Sequence, residues 1–159
     1  MPRTAMDDDL LEAARAVMRI SLQAADQIGG VSVVQLRALT VLDREGTANL
    51  ASLAEGMGVT VSTTSRLVDR LVAAGLVDRR TATHTRREIA LSLTARGRST
   101  LRRYDELRLV GLHACLDNLA ADTREQAVAG LRAFGDAAAR AVREDDGTEV
   151  PGDATSSTG

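Results

Sequence analysis

The chain has 159 residues, 44% hydrophobic but only 1% aromatic, with a formal net charge of −2. That length suits one domain with a modest core, and a core of Leu, Val, Ile and Ala fits closely packed helices better than a thick β-sandwich. No apolar run reaches membrane-spanning length, charged residues break up the N-terminal stretch where a signal peptide would be apolar, and the single Cys115 excludes an intrachain disulfide framework.

Asp7, Asp8 and Asp9 open the first expected helix, setting negative charge at the positive end of its dipole. Leu10, Leu11, Ala14, Val17, Met18, Leu22, Ala25 and Ile28 form its apolar stripe, and Gly29-Gly30 ends it. Ser32 and Gln35 have the spacing of a capping box for a second helix carrying Leu36, Leu39, Val41 and Leu42, which closes near Gly46. A short third helix is capped by Asn49, carries Leu50, Leu53, Ala54 and Met57, and stops at Gly58, with Val59 expected as a buried anchor in the turn. Thr60 caps a fourth helix, its hydroxyl placed to accept the N–H of Ser62 or Thr63. Leu67, Val68, Leu71 and Val72 make the buried face; Ser62, Thr63, Arg66, Asp69 and Arg70 lie opposite, and Gly75 stops the helix.

From Leu76 the period changes to two. Residues 76–80 read as a strand, 81–85 as an exposed turn, and Ile89, Leu91 and Leu93 as the inward positions of a second, half-buried strand. Thr94 caps a long fifth helix to about Leu119, apolar on more than one face, and a sixth starts at Asp122 with Ala127, Val128, Leu131, Phe134, Ala138 and Val142 as its stripe. Helices apolar on several faces need further partners, and a second copy of the chain supplies them most simply. Residues 145–159 are small, polar and acidic and read as a disordered tail.

Charge is distributed unevenly along this pattern. Residues 60–103 hold ten arginines against three acids, a net of +7, whereas residues 1–59 carry −3 and residues 104–159 carry −6. All 20 basic residues are arginine, so every phosphate contact here would be made by a guanidinium fork. The basic segment contains a short helix, a glycine turn, a second helix and a hairpin. In a helix-turn-helix the N-terminal residues of the second helix enter the major groove. Small hydroxyl side chains allow the close approach, and arginines one turn on reach bases or phosphates. Thr60, Ser62, Thr63 and Ser65, followed by Arg66 and Arg70, meet both needs. Arg79, Arg80, Arg86 and Arg87 of the hairpin would reach flanking backbone or the narrow minor groove.

The run from Leu53 to Thr60 (LAEGMGVT), the run from Ser65 to Val77 (SRLVDRLVAAGLV), Arg86-Arg87, and the passage from Leu91 to Gly97 (LSLTARG) resemble the MarR family over residues 32–103. The resemblance implies a mainly α-helical fold with a small β-hairpin wing: a winged helix-turn-helix at residues 32–93, flanked by dimerisation helices at 7–29 and 94–144, in one domain over residues 1–159. It implies that Ser62, Thr63 and Arg66 read DNA, that Arg87 enters the minor groove, and that the first, fifth and sixth helices form a homodimer. The function it implies is that of a bacterial, cytoplasmic repressor on a pseudo-palindromic site in double-stranded DNA, released by a small aromatic or phenolic effector held between the dimerisation and DNA-binding parts. Two positions depart from the family pattern. Thr85 stands where an aspartate usually steadies the wing arginine, and Gly56 stands where a longer polar residue is usual.

Two other classes stay open. A basic winged helix also docks acidic protein partners, since fold does not fix function. Cys115 also allows a redox-responsive regulator, although a lone helical cysteine with no basic neighbours is ordinarily a small core residue. His84 and His113 are too far apart in sequence to build a metal site within one chain, and no phosphate loop, paired-histidine motif or nucleophile elbow is present. No enzyme activity, cofactor, metal or membrane partner is therefore expected.

Overall fold

Each of the first five helices starts on a side chain that accepts an otherwise unpaired backbone N–H. In the computed structural model, which describes residues 3–81 and 89–145, these helices are α1 (Ala5–Ile28), α2 (Val33–Glu45), α3 (Leu50–Met57), α4 (Val61–Ala73) and α5 (Ala95–Leu116). Strands β1 (Val77–Thr81) and β2 (Ile89–Leu93) separate α4 from α5, and α6 (Ala121–Asp145) follows. Ser32 with Gln35 and Asn49 with Ser52 form reciprocal capping boxes at α2 and α3. The start of α1 differs from expectation. Thr4 Oγ1 accepts the Asp7 N–H at 3.2 Å while the Asp7 carboxylate accepts the Thr4 N–H at 2.8 Å, so the helix begins at Ala5, before the aspartate triplet. The Thr4 N–H foremost, and then the Thr4 hydroxyl, which donates to the same carboxylate oxygen at 2.8 Å, hold the Asp7 carboxyl below the ordinary aspartate value.

The chain divides into two compact units, Met1–His113 and Ala114–Gly159. In the first, Leu36, Leu39 and Leu42 of α2, Leu53 and Met57 of α3, and Leu67, Val68 and Leu71 of α4 form one core with Val77, Leu91, Leu93, Leu101 and Tyr104. Aliphatic side chains at helical spacing interlock there, as the near absence of aromatics requires. The strands pair antiparallel in the register Val77↔Leu93, Arg79↔Leu91, Thr81↔Ile89. A third segment joins them: Ala48 and Leu91 exchange both backbone hydrogen bonds, at 3.0 and 2.7 Å, which attaches the hairpin to the loop before α3. Nothing in the sequence pattern around Ala48 signals a strand.

The junction with α5 is fixed by three hydrogen bonds at Thr94. Thr94 Oγ1 donates to the Gly75 carbonyl at 2.7 Å and accepts the Gly97 N–H at 2.9 Å, while the Thr94 N–H donates to the Leu76 carbonyl at 3.1 Å. A β-carbon on Gly97 would lie 2.1 Å from that same carbonyl oxygen. Only glycine lets the first turn of α5 lie against the start of β1.

Three expectations about burial are corrected, at Val59, Ile89 and Val72. Val59 is 40% exposed rather than anchored, because the αL turn at Gly58 (φ 65°) carries it past the edge of the core. Ile89 is 42% exposed: it pairs with Thr81 at the far end of the hairpin, beyond the helices that cover Leu91 and Leu93. Val72 lies on the rim of α4's buried stripe and is also exposed. Along α1 only Ala24 and Ala25 are buried, and Leu10, Leu11, Val17, Met18 and Leu22 face outward.

The second unit contains the end of α5 and the whole of α6. Helix α5 stops at Leu116, short of Leu119, as the Asn118 and Leu119 N–H groups turn back onto the Cys115 and Leu116 carbonyls. Arg124 Nε donates to the Leu116 carbonyl at 3.0 Å and its guanidinium pairs with Asp117 at 3.6 Å, tying the first turn of α6 to that end. Val128, Leu131 and Phe134 are exposed on α6. Cys115 is exposed too, contrary to its expected place in a core. The tail from residue 146 onward lies outside the described residues.

Candidate nucleic-acid interface

Helix α4 divides cleanly into two faces. Thr64, Leu67, Val68 and Leu71, spaced i, i+3, i+4, i+7, are buried. Thr64 reaches zero exposure because its hydroxyl donates to the Thr60 carbonyl at 3.1 Å, which removes the desolvation penalty of burying it. With that stripe held inside, Ser62, Thr63, Arg66, Asp69 and Arg70 face solvent. Ser65 lies on the flank and is half-buried.

At the tip, Thr60 Oγ1 accepts the Thr63 N–H at 3.3 Å and lies 3.1 Å from Ser62 Oγ and 3.0 Å from Thr63 Oγ1. Three hydroxyls thus cluster at the positive end of the helix dipole, where phosphate oxygens are favoured. Thr60 is largely occupied as the cap, so Ser62 and Thr63 carry the spare hydrogen-bonding capacity.

Asp69 pairs with neither neighbouring arginine. It meets Arg79 of β1 at 3.3 Å. Arg79 stands opposite Leu91 in the hairpin register and is about one-third exposed, so the ion pair links the outer face of α4 to the base of the wing. A contact this exposed adds little stability, on the order of 0–1 kcal/mol. Its geometric effect matters more, because it leaves Arg66 and Arg70 without a carboxylate partner among the described residues. Arg80 is exposed, with Nε 2.7 Å from Asp78 Oδ2. The remaining predicted site residues, Arg86 and Arg87, lie outside the described residues together with His84 and Thr85.

Two residues were missed from sequence. One is Asp69 as a link between helix and hairpin. The other is Val61, the first residue of α4 and 49% exposed beside Ser62. Its spacing from Thr64 and Val68 suggests the buried stripe, but it lies one turn beyond the end of the core. An apolar side chain there is chemically suited to meeting a thymine methyl.

The arrangement brings hydroxyls, guanidinium forks and one apolar side chain together along the exposed face and first turn of one helix. Among the described residues no group of three or more His, Cys, Asp or Glu could hold a metal ion, and no helix is long and apolar enough to cross a membrane.

A model of the MarR family matches residues 29–88. The uncharacterised HTH-type transcriptional regulator YfiV of Bacillus subtilis is 29% identical over 114 residues, 72% of this chain and 71% of that protein. The crystal structure of RV1404 from Mycobacterium tuberculosis is 36% identical and superposes with a TM-score of 0.77, covering 86% of this chain and 96% of that one. A mutant of MepR from S. aureus, bound to an oligodeoxyribonucleotide, shares the fold at 17% identity and a TM-score of 0.65, over 85% of this chain and 99% of that one.

Proposed function

Given that the chain belongs to the MarR family of transcriptional regulators, we propose that it represses transcription as a homodimer bound to a pseudo-palindromic operator. The observation that carries this reading is the outer face of α4: Ser62, Thr63, Arg66 and Arg70 face solvent, and neither arginine is drawn into an ion pair among the described residues. In this reading Ser62, Thr63 and Arg66 meet base edges in the major groove, with Ser65 and Arg70 on flanking positions. Thr60 shapes the tip as its cap. Arg80 contacts backbone phosphate, and Arg79 acts chiefly by bracing α4 through Asp69. Arg86 and Arg87 reach the adjoining minor groove. That a similarly folded MepR mutant binds an oligodeoxyribonucleotide supports DNA as the partner.

The exposed apolar side chains support the dimer. Met6, Leu10, Met18 and Leu22 on α1, Leu109 and Val110 on α5, and Leu131 and Phe134 on α6 would lose water to a second copy. Two-fold symmetry then sets the half-sites about one helical turn, roughly 34–36 Å, apart.

Selection from a random duplex pool tests the proposal. The expected product is an inverted repeat with that spacing, bound with an affinity that falls steeply as salt rises, since several guanidiniums displace counterions. A pool that yields no enriched repeat, while an acidic protein binds the same face, would replace the regulator with a protein-docking module.

A further inference from the structure

At its N-terminal end α4 presents an apolar side chain that neither the core nor the helix itself accounts for. Val61 is the first residue of the helix and is 49% exposed. It gains little from burial there, and a β-branched residue is a poorer helix former than alanine. From the geometry we infer that Val61 is a specificity-determining residue, which reads the C5-methyl group of a pyrimidine in the operator. This role rests on the regulator reading and adds to it a chemical group that the charged residues of α4 cannot recognise.

Side chains on an α-helix tilt toward its N-terminus. Val61 therefore projects past the end of α4, the end that enters the major groove in a helix-turn-helix. Its place is fixed from behind: Thr64, Leu67, Val68 and Leu71 hold the helix in the core, and Asp69 ties the outer face to Arg79 at 3.3 Å. A valine in a helix keeps one strongly preferred rotamer, so its two methyls have little side-chain entropy to lose on contact. Beside it, Ser62 Oγ and Thr63 Oγ1 lie 3.1 and 3.0 Å from Thr60 Oγ1. The tip thus sets a stiff apolar surface next to a cluster of hydroxyls.

The major groove offers one apolar group, the C5-methyl of thymine, and 5-methylcytosine carries a methyl at the same ring position. Valine has no side-chain donor or acceptor. Against a phosphate or a polar base edge it would displace water and return no hydrogen bond. Against a methyl it buries apolar surface on both sides. Arg66 and Arg70 suit guanine, and α4 contains no Asn or Gln to pair with adenine at two points. A T·A pair in the half-site is therefore legible to this helix chiefly through the thymine methyl. Thr63 also carries a methyl, beside a hydroxyl engaged with Thr60, and a substitution separates it from Val61.

Fluorescence anisotropy with the full-length protein and a selected operator, at fixed salt, tests this with single-methyl changes. Thymine is replaced by uracil at one half-site position at a time, which keeps the base pairing and every polar group. In a second series cytosine and 5-methylcytosine are compared at the same positions, and the tighter of the two methylated bases is assigned as the source of the methyl. At one position loss of the methyl should weaken binding about fourfold, and about sixteenfold when both half-sites are changed, as burial of one methyl-sized group gives. In Val61→Ala that ratio should fall close to one, whereas Val61→Ile and Thr63→Ser should keep it. Equal binding with and without the methyl at every position, or a ratio undiminished in Val61→Ala, would overturn the assignment and leave the regulator reading standing. Failure to select any operator would remove that reading and this role with it.

Discussion

Replacing Gly97 with alanine pits two physical effects of opposite sign against each other. Gly97 lies in the first turn of α5, where helix propensity alone favours alanine by up to about 1 kcal/mol. The tertiary structure opposes it: the new methyl would stand 2.1 Å from the Leu76 carbonyl oxygen and 3.0 Å from its carbon. Ordinary contact needs more than an ångström of extra separation, and both sides are backbone, so neither can rotate away. Overpacking of this kind costs about 1–3 kcal/mol. Moving the Leu76 carbonyl also disturbs its hydrogen bond from the Thr94 N–H, now 3.1 Å, for a further loss of about 0.5–1.5 kcal/mol. The net expectation is a destabilisation of about 0.5–3.5 kcal/mol, centred on about 2, or a fall of roughly 4–8 °C in the unfolding midpoint at that centre for a chain of this size. Thermal and urea unfolding at a fixed protein concentration measure it, since the proposed dimer would make the midpoint concentration-dependent. A midpoint that is unchanged or raised would show that α5 does not lie on β1 as described.

Arg66→Ala should weaken operator binding by roughly 1–3 kcal/mol and relax base preference at one position of each half-site, read by fluorescence anisotropy on single-base operator variants; equal affinity for all variants before and after substitution would contradict its role. Asn49→Ala removes the cap of α3 and should cost about 1 kcal/mol in urea unfolding, with Asn49→Ser largely preserving stability. Asp7 has a lowered carboxyl pKa in the folded chain, so its contribution is present above the ordinary aspartate value and is lost as pH falls through the folded value. Asp7→Asn should therefore reduce the acid sensitivity of α1 helicity below about pH 4, followed by circular dichroism; an unaltered acid limb would count against the Thr4–Asp7 box.

Much of the architecture was legible without coordinates because its signals act over a few residues. Ser32, Asn49 and Thr60 have side chains that satisfy N–H groups three positions on, and Gly58 accepts the left-handed turn that ends α3. The switch from a period near four to a period of two at Leu76 marked the hairpin for the same reason. The polar end of α4 was legible too, since a helix that buries Leu67, Val68 and Leu71 must turn Ser62 and Arg66 outward.

Choices among equally plausible neighbours required the folded chain. Asp69 has arginines near it in sequence, yet its partner is Arg79, which the hairpin brings alongside α4. Val59, Val61 and Ile89 have the chemistry of core residues and lie at its edges, because burial depends on where the other elements end. Ala48 pairs with Leu91 across 43 residues of sequence, and Gly97 meets the Leu76 carbonyl across 21. Local patterns set which elements form, whereas distances between remote segments arise only once a common core has drawn them together.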